Sequence, residues 1–183
     1  MVTVGAMSDN YTPADGADDV LASFSAAGPT ADGFLKPELV APGGHVLGLM
    51  PLNATLATEH PEFQNAASFF SMSGTSQATA VVSGVVALLL QADSSLNPDG
   101  VKCRLIEAAR PALDGNGKLV YSSLQQGAGM INAYDAVYST ATGCANRGLN
   151  VDLTDSEHYG GPVNQDEQDN FYLMDPAGGK YSL

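Results

Sequence analysis

Residues 70–92 read Phe-Ser-Met-Ser-Gly-Thr-Ser-Gln-Ala-Thr-Ala-Val-Val-Ser-Gly-Val-Val-Ala-Leu-Leu-Leu-Gln-Ala, a short polar turn between two apolar segments. The residues from Ser76 onward contain no proline and are rich in Ala, Val and Leu. This pattern predicts a helix over 76–92 that is apolar nearly all round. Such a helix needs apolar neighbours on every face, so we expect it inside a larger core. The residues before the turn predict a strand over 67–72.

The polar turn places a serine hydroxyl at the N-terminus of the predicted helix. The free N–H groups and the positive end of the helix dipole there favour a developing negative charge. The Ser76 hydroxyl is therefore a candidate nucleophile, and its own N–H can help to hold an oxyanion. Gly74 would let a substrate backbone approach closely. The simpler alternative is that Thr75 or Ser76 only caps the helix.

Two further helices carry clear start signals. Asn97-Pro98 combines an N-cap residue with proline at the first helical position, which predicts a helix ending at about Ala109. Asn132 predicts the cap of a third helix over 133–138, with an acidic residue three positions on. A short apolar run over 2–7 predicts a buried strand. Residues 51–67 have low hydrophobicity and predict a loop.

Length and charge limit the classes of protein that this chain can belong to. Its 183 residues, 44% of them hydrophobic, are enough for one globular domain or part of a larger one. The net charge of −13 disfavours a nucleic-acid partner, because a polyanion is repelled. We expect no membrane partner, because no uninterrupted apolar run reaches the ~18–20 residues of a bilayer span. Cys103 and Cys144 are either one disulfide or two buried thiols.

Five segments of the chain, in order, resemble motifs of the subtilisin-like serine proteases, the subtilases. They are Val2-Thr3-Val4-Gly5-Ala6, Leu21-Ala22-Ser23-Phe24-Ser25 with Gly28-Pro29, Lys36-Pro37-Glu38-Leu39-Val40-Ala41-Pro42-Gly43, Gly74-Thr75-Ser76 with the following helix to Gly84, and Gln126-Gly127-Ala128-Gly129-Met130-Ile131-Asn132-Ala133. The chain departs from the family pattern at Gln77, Ala80 and Val81, where the family has Met, Pro and His. These three positions lie behind the turn and affect packing more than chemistry.

The resemblance implies an α/β fold, part of a three-layer domain with a mostly parallel sheet and a buried helix after the nucleophile. Residues 1–143 would form the C-terminal half of such a catalytic domain. Ser76 would be the catalytic nucleophile, and Thr75 would support the oxyanion. Ser73 and Gly74 would bind a polypeptide substrate. A disulfide between the two cysteines would favour an extracellular location.

A serine nucleophile needs a base and a carboxylate that orients it. In subtilases these lie in Asp-x-Gly and His-Gly-Thr-His segments, and neither motif occurs in this sequence. None of His45, His60 and His158 has that context. We therefore expect a chain that is nearly inactive alone and that either pairs with an N-terminal half of the domain or associates with itself. The alternative is a non-catalytic truncated product or a binding module on the remnant fold.

Residues 144–183 differ in composition, with seven acidic residues against two basic ones, and predict a separate acidic C-terminal extension. It is either a strand-and-turn segment or poorly ordered. No cofactor is expected. Calcium is a property of many subtilases, but no metal ligand can be assigned by resemblance. Asp114-Gly115-Asn116-Gly117 lacks the other ligands of a calcium loop and predicts a turn between a helix and a strand.

Overall fold

The computed structural model describes residues 1–12, 16, 18–65, 68–146, 161–174 and 179–183. The helices are α1 (Thr55–Glu59), α2 (Thr75–Ala92), α3 (Pro98–Ala108), α4 (Ser123–Gln126) and α5 (Ala133–Tyr138), with a 3-10 turn at Pro61–Phe63. The strands are β1 (Val4–Ser8), β2 (Val20–Leu21), β3 (Leu39–Pro42), β4 (Val46–Leu49), β5 (Gln64–Asn65), β6 (Phe69–Met72), β7 (Val163–Gln165), β8 (Phe171–Met174) and β9 (Lys180–Ser182).

The first sheet forms the centre of the fold, in the order β2-β1-β3. β1 and β3 are parallel, with Val4 opposite Leu39, and β2 is antiparallel to β1. A bridge from Met130 to Val40 extends the parallel part. The other two sheets, β4-β6-β5 and β7-β8-β9, are antiparallel. Within the described residues, the predicted parallel arrangement is therefore confined to the first sheet.

α2 packs on β1 and β3 through one stripe of its surface. Its buried residues are Ala78, Val82, Val85 and Leu89, at the three- and four-residue spacing of one helix face. The side chains of Leu88 and Leu90 are 51% and 40% exposed. The composition predicts that α2 is buried on every face, but the described residues bury only one face. The reason is that the described strands lie on one side of the helix.

The length of α2 and its mean hydropathy of 1.4 would suit a bilayer span. A core helix has the same length and composition, and the buried stripe against β1 and β3 is typical of such a helix. The absence of a membrane partner stays a prediction.

The predicted starts of α3 and α5 are confirmed by their caps. The Asn97 side chain accepts the Gly100 N–H at 2.7 Å, and the Asn132 side chain accepts the Asp135 N–H at 3.0 Å. α3 packs against α5. Cys103, fully buried on α3, forms a disulfide with Cys144, with the two Cα atoms 5.2 Å apart. Of the two alternatives for the cysteines, the structure contains the bridge.

A buried charge cluster lies at the start of β3. The Glu38 carboxylate, only 7% exposed, accepts the Thr3 N–H at 2.7 Å and the Lys102 ammonium at 2.8 Å, and it is also paired with Lys36. Burial alone would raise the pKa of Glu38, but hydrogen bonds from Lys102, Lys36 and Thr3 outweigh it and lower the pKa to about 2. The cluster ties β3 to α3 through charge.

Residues 51–65 differ from the loop that their composition predicts. They form α1, the 3-10 turn and β5, which pairs with β6. Only Ala57 of α1 is buried, and the Gln64 side chain donates to the Ala57 carbonyl at 2.8 Å. These elements form by contact with one another and with β6, because the segment has too few apolar residues for a core of its own. β6 is the strand predicted over 67–72, of which residue 67 lies outside the described residues.

The described part of the acidic extension consists of residues 144–146 and a small antiparallel sheet of β7, β8 and β9. Residues 144–146 are joined to α3 by the disulfide from Cys144 and by hydrogen bonds of the Asn146 side chain with Lys102 and Asp99.

Next to the sheet of β7, β8 and β9, two backbone hydrogen bonds join the extension to an earlier loop, from Gly161 N–H to the Asp32 carbonyl at 2.6 Å and from Val163 N–H to the Gly33 carbonyl at 3.0 Å. The strand-and-turn alternative thus describes residues 161–174 and 179–183. Residues 147–160 and 175–178 lie outside the described residues.

Candidate active site

The candidate nucleophile lies where β6 ends and α2 begins. Gly74 is the N-cap residue, and its carbonyl accepts the Gln77 and Ala78 N–H groups at 3.2 and 3.3 Å. Ser76 is the second residue of α2 and is exposed. Neither its hydroxyl nor its N–H has a hydrogen-bond partner in the part of the chain that the structure describes. An exposed hydroxyl with a free N–H at a helix start can attack an electrophile and stabilise the resulting oxyanion.

The loop after β3 holds this turn in place. The Gly74 N–H donates to the Gly43 carbonyl at 2.8 Å, and the His45 N–H donates to the Ser73 hydroxyl oxygen at 2.9 Å. A Cβ on Gly43 would lie 2.7 Å from the Ala6 Cβ and 2.8 Å from the Gly74 carbonyl oxygen. Gly43 is therefore needed for the close packing of the turn on β1. Sequence reasoning placed Gly43 within a motif but did not find this contact.

The other predicted site residues surround Ser76 along the turn. Thr75, half-buried, begins α2, and its carbonyl accepts the Thr79 hydroxyl at 2.8 Å. Ser73 is exposed and is anchored by the loop after β3. A Cβ on Gly74 would lie 2.7 Å from the Gln77 side-chain oxygen, so the glycine leaves room for Gln77 to fold over the turn. The roles of Thr75, Ser73 and Gly74 stay predictions.

In the described residues, no imidazole hydrogen-bonds to Ser76. The exposed His45 ring stacks on Tyr11, with ring centroids 3.9 Å apart. His60 contacts the Glu62 carboxylate at 3.2 Å. The pKa of Glu62 is lowered, first by its own backbone N–H and to a smaller extent by His60. His158 lies outside the described residues. Among the residues that the structure describes, the candidate nucleophile therefore has no base in contact with it.

No calcium ligands can be assigned among the described residues. The described residues contain no group of three or more His, Cys, Asp or Glu side chains arranged to hold a metal ion. One oxygen of Asp114 accepts the Asn116 and Lys118 N–H groups at 2.8 and 2.9 Å. These two hydrogen bonds lower the pKa of Asp114, and the bond from Lys118 has the larger effect. The Asp114 carboxylate thus closes a turn.

Comparison with known proteins places this arrangement in a family. AprX, a serine protease of Bacillus subtilis, is 37% identical over 137 residues, which are 75% of this chain and 29% of AprX. MycP1 of Mycobacterium smegmatis has a similar structure at 27% identity and a TM-score of 0.50, over 78% of this chain and 31% of MycP1. The chain spans less than a third of the length of either relative.

A further structural likeness concerns the fold alone. Fervidolysin of Fervidobacterium pennivorans, a keratinolytic enzyme related to subtilisin, matches 99% of this chain and 25% of its own at a TM-score of 0.57 and 20% identity. The α/β fold class is therefore confirmed. A model of the subtilase family matches residues 1–147, a range that includes every motif quoted above and the turn at Ser76. This chain belongs to the subtilase family.

Proposed function

We propose that this chain carries the nucleophile of a serine endopeptidase. The observation that carries the proposal is the exposed Ser76 hydroxyl beside a free N–H at the start of an 18-residue helix. The family match adds support, since the whole segment around Ser76 lies inside it. The substrate is a polypeptide.

The proposed reaction is acyl transfer. Ser76 Oγ attacks the carbonyl carbon of a peptide bond while a base takes the hydroxyl proton. The Ser76 N–H donates to the oxyanion, and the Thr75 hydroxyl supports it. The C–N bond then breaks, and the amine leaves with the proton held by the base. Water finally hydrolyses the ester on Ser76, which restores the hydroxyl.

The proposal assigns the base and its orienting carboxylate to a polypeptide outside these 183 residues, namely an N-terminal half of the catalytic domain. The lack of any imidazole in contact with Ser76 in the described part of the chain supports this assignment. Without a base, only residual catalysis remains, so the 183 residues alone are nearly inactive. The exposed side chains of Leu88 and Leu90 on α2 give such a half, or a second copy of the chain, an apolar surface to cover.

A second candidate function is a non-catalytic one, as a truncated product or a binding module. It is favoured by the same missing base, and it is disfavoured by the retained Gly74-Thr75-Ser76 turn. The disulfide between Cys103 and Cys144 supports an extracellular location for either function, since such bonds persist in oxidising compartments.

Labelling with a fluorophosphonate serine probe, measured by intact mass, tests the proposal. The 183-residue chain is labelled alone and after mixing with the segment of AprX that precedes the matched region. We expect no labelling alone, labelling in the mixture, and loss of that labelling in Ser76→Ala. Ser83→Ala is the matched control, because Ser83 is exposed on the same helix and donates to the Thr79 carbonyl at 2.8 Å.

Labelling of the chain alone would show that a base lies within it and would contradict the assignment to a separate half. A mixture that associates, by light scattering, and still resists the probe would favour the non-catalytic function.

A further inference from the structure

A cavity of about 200 Å³ lies where the acidic extension meets the rest of the chain. Lys36, Glu38 and Lys102 line it near the start of β3 and on α3, and Cys144 and Asn146 line it from the extension. The disulfide that joins Cys144 to α3 fixes the wall from the extension. Since one water molecule takes about 30 Å³ in the liquid, the cavity has room for a small organic molecule.

Two ammonium groups meet one carboxylate at this cavity. Lys36 and Lys102 both donate to the same oxygen of Glu38, Oε1, while the other oxygen accepts the Thr3 N–H at 2.7 Å. In the part of the chain that the structure describes, the salt bridges of both lysines are to Glu38 alone. The pKa of Glu38, about 2, keeps this carboxylate ionised at neutral pH. The cluster therefore has one positive charge in excess.

The excess charge is largely removed from water. The side chains of Lys102 and Lys36 are only 12% and 24% exposed. The Asn146 side-chain oxygen accepts a hydrogen bond from Lys102 at 2.9 Å, but an amide brings no charge. Burial of a charge is costly unless a group of opposite charge pairs with it. An anion in the cavity would supply the missing negative charge.

The remaining walls of the cavity are apolar. They are formed by the half-buried side chains of Phe34, Leu35, Ile106 and Pro162. An apolar group in the cavity would remove this surface from water, which an inorganic anion would leave hydrated. The single excess charge matches a single carboxylate, and the net charge of −13 disfavours ligands of higher negative charge.

We propose that this cavity binds a small organic monocarboxylate, with its charge at the ammonium groups of Lys36 and Lys102 and its apolar group against the remaining walls. The ligand contacts both the extension and the rest of the chain. A free acid and the C-terminal carboxylate of a polypeptide share this chemistry. The site does not depend on the proposed peptidase function, since it is built from other residues of the chain.

The test is a titration of the ¹⁵N-labelled chain with benzoate and with benzamide, which has the same ring and no charge, followed by amide chemical shifts. We expect benzoate to bind at least about tenfold more tightly, because charge-assisted hydrogen bonds are the stronger ones. The largest shifts are expected at the amides of Leu35, Glu38, Lys102 and Asn146.

A second titration identifies the source of the carboxylate. It compares acetyl-Ala-Phe as the free acid with the same dipeptide as its C-terminal amide. Tighter binding of benzoate than of the dipeptide acid indicates a free acid as the ligand, and the reverse order indicates a polypeptide terminus. Either order supports the site.

Three variants locate the effect. Lys36→Met removes the excess charge and leaves the pair of Glu38 and Lys102, so the affinity for benzoate should fall to that for benzamide. Lys36→Arg keeps the charge and should keep the preference. Lys118→Met removes a positive charge from an exposed position outside the cavity and should change neither affinity. The dispersion of the amide spectrum shows for each variant that the chain is folded.

Equal affinities for benzoate and benzamide would overturn the inference. So would an unchanged preference in folded Lys36→Met, or benzoate shifts that are as large around Lys118 and Lys180 as at the cavity, since these would indicate attraction by any exposed cation. None of these outcomes depends on labelling of Ser76, so the proposed peptidase function is tested separately.

Discussion

The sheet of β1, β2 and β3 and the sheet of β7, β8 and β9 each have three strands, but they are stabilised differently. In the first, Ala6, Leu39 and Ala41 are fully buried under α2. In the described part of the second, Val163 is the one buried residue. The comparison shows that strand pairing alone does not make a core. The first sheet is covered by a helix, whereas the second depends on its own hydrogen bonds and its contact with Gly33.

The largest expected contrast comes from the same substitution in the two regions. Leu105 on α3 is fully buried, so Leu105→Ala should cost about 2–5 kcal/mol in the free energy of unfolding. Leu173 on β8 is only partly buried, and Leu173→Ala should cost about 1 kcal/mol or less. Urea unfolding followed by far-ultraviolet circular dichroism measures both. Equal losses would mean that the second sheet shares the main core.

The charge cluster gives the first region a pH dependence of its own. The pKa of Glu38 is about 2 in the folded chain against an ordinary 4.5, so its stabilisation is complete above about pH 4.5 and is lost as the pH falls through 2. The shift corresponds to at most about 3 kcal/mol. The free energy of unfolding of the parent chain should fall between pH 4.5 and 2, in part because Glu38 becomes protonated. In Glu38→Gln, that part of the fall should be absent.

Glu107→Gln, on the exposed side of α3, is the matched control for the charge cluster and should leave the pH profile of the parent chain unchanged. The measurement is the urea midpoint at a series of pH values from 2 to 6. Identical profiles for the parent and Glu38→Gln would show that the carboxylate is not paired in the folded chain.

The smallest expected effect is on the junction of the two regions. A Cβ on Gly161 would lie 2.1 Å from the Gly33 carbonyl oxygen, so Gly161→Ala should separate the second sheet from residues 32–33. The loss should be about 1–2 kcal/mol and local. Amide exchange should become faster in β7 and stay unchanged in β1. Gly115→Ala, with no atom within 4 Å of the added Cβ, is the control. Faster exchange in β1 as well would show that the two regions unfold together.

Much of the candidate site could be predicted because its signals are local. The turn before α2 and the capping residues Asn97 and Asn132 each act on N–H groups within three residues, so short patterns indicate where those helices begin. Ser76 is at the start of α2 for the same reason. Residues 51–65 could not be predicted in this way. Their order depends on pairing with β6 and on the packing of Phe63 on Phe70, which composition does not reveal.

The amino-acid sequence was sufficient for the α/β class, the family and the position of a serine hydroxyl at the start of an apolar helix. The fold class and the family follow from the resemblance of five motifs to the subtilases. The position of the hydroxyl follows from the local pattern of a polar turn before an apolar helix, in which each residue acts on its near neighbours. Three other features required the folded chain: the support of the turn by Gly43, the cavity between Lys36 and Asn146, and the contact of Gly161 with Gly33. Each joins residues far apart along the chain, and only the packing of strands and helices sets the distances between them.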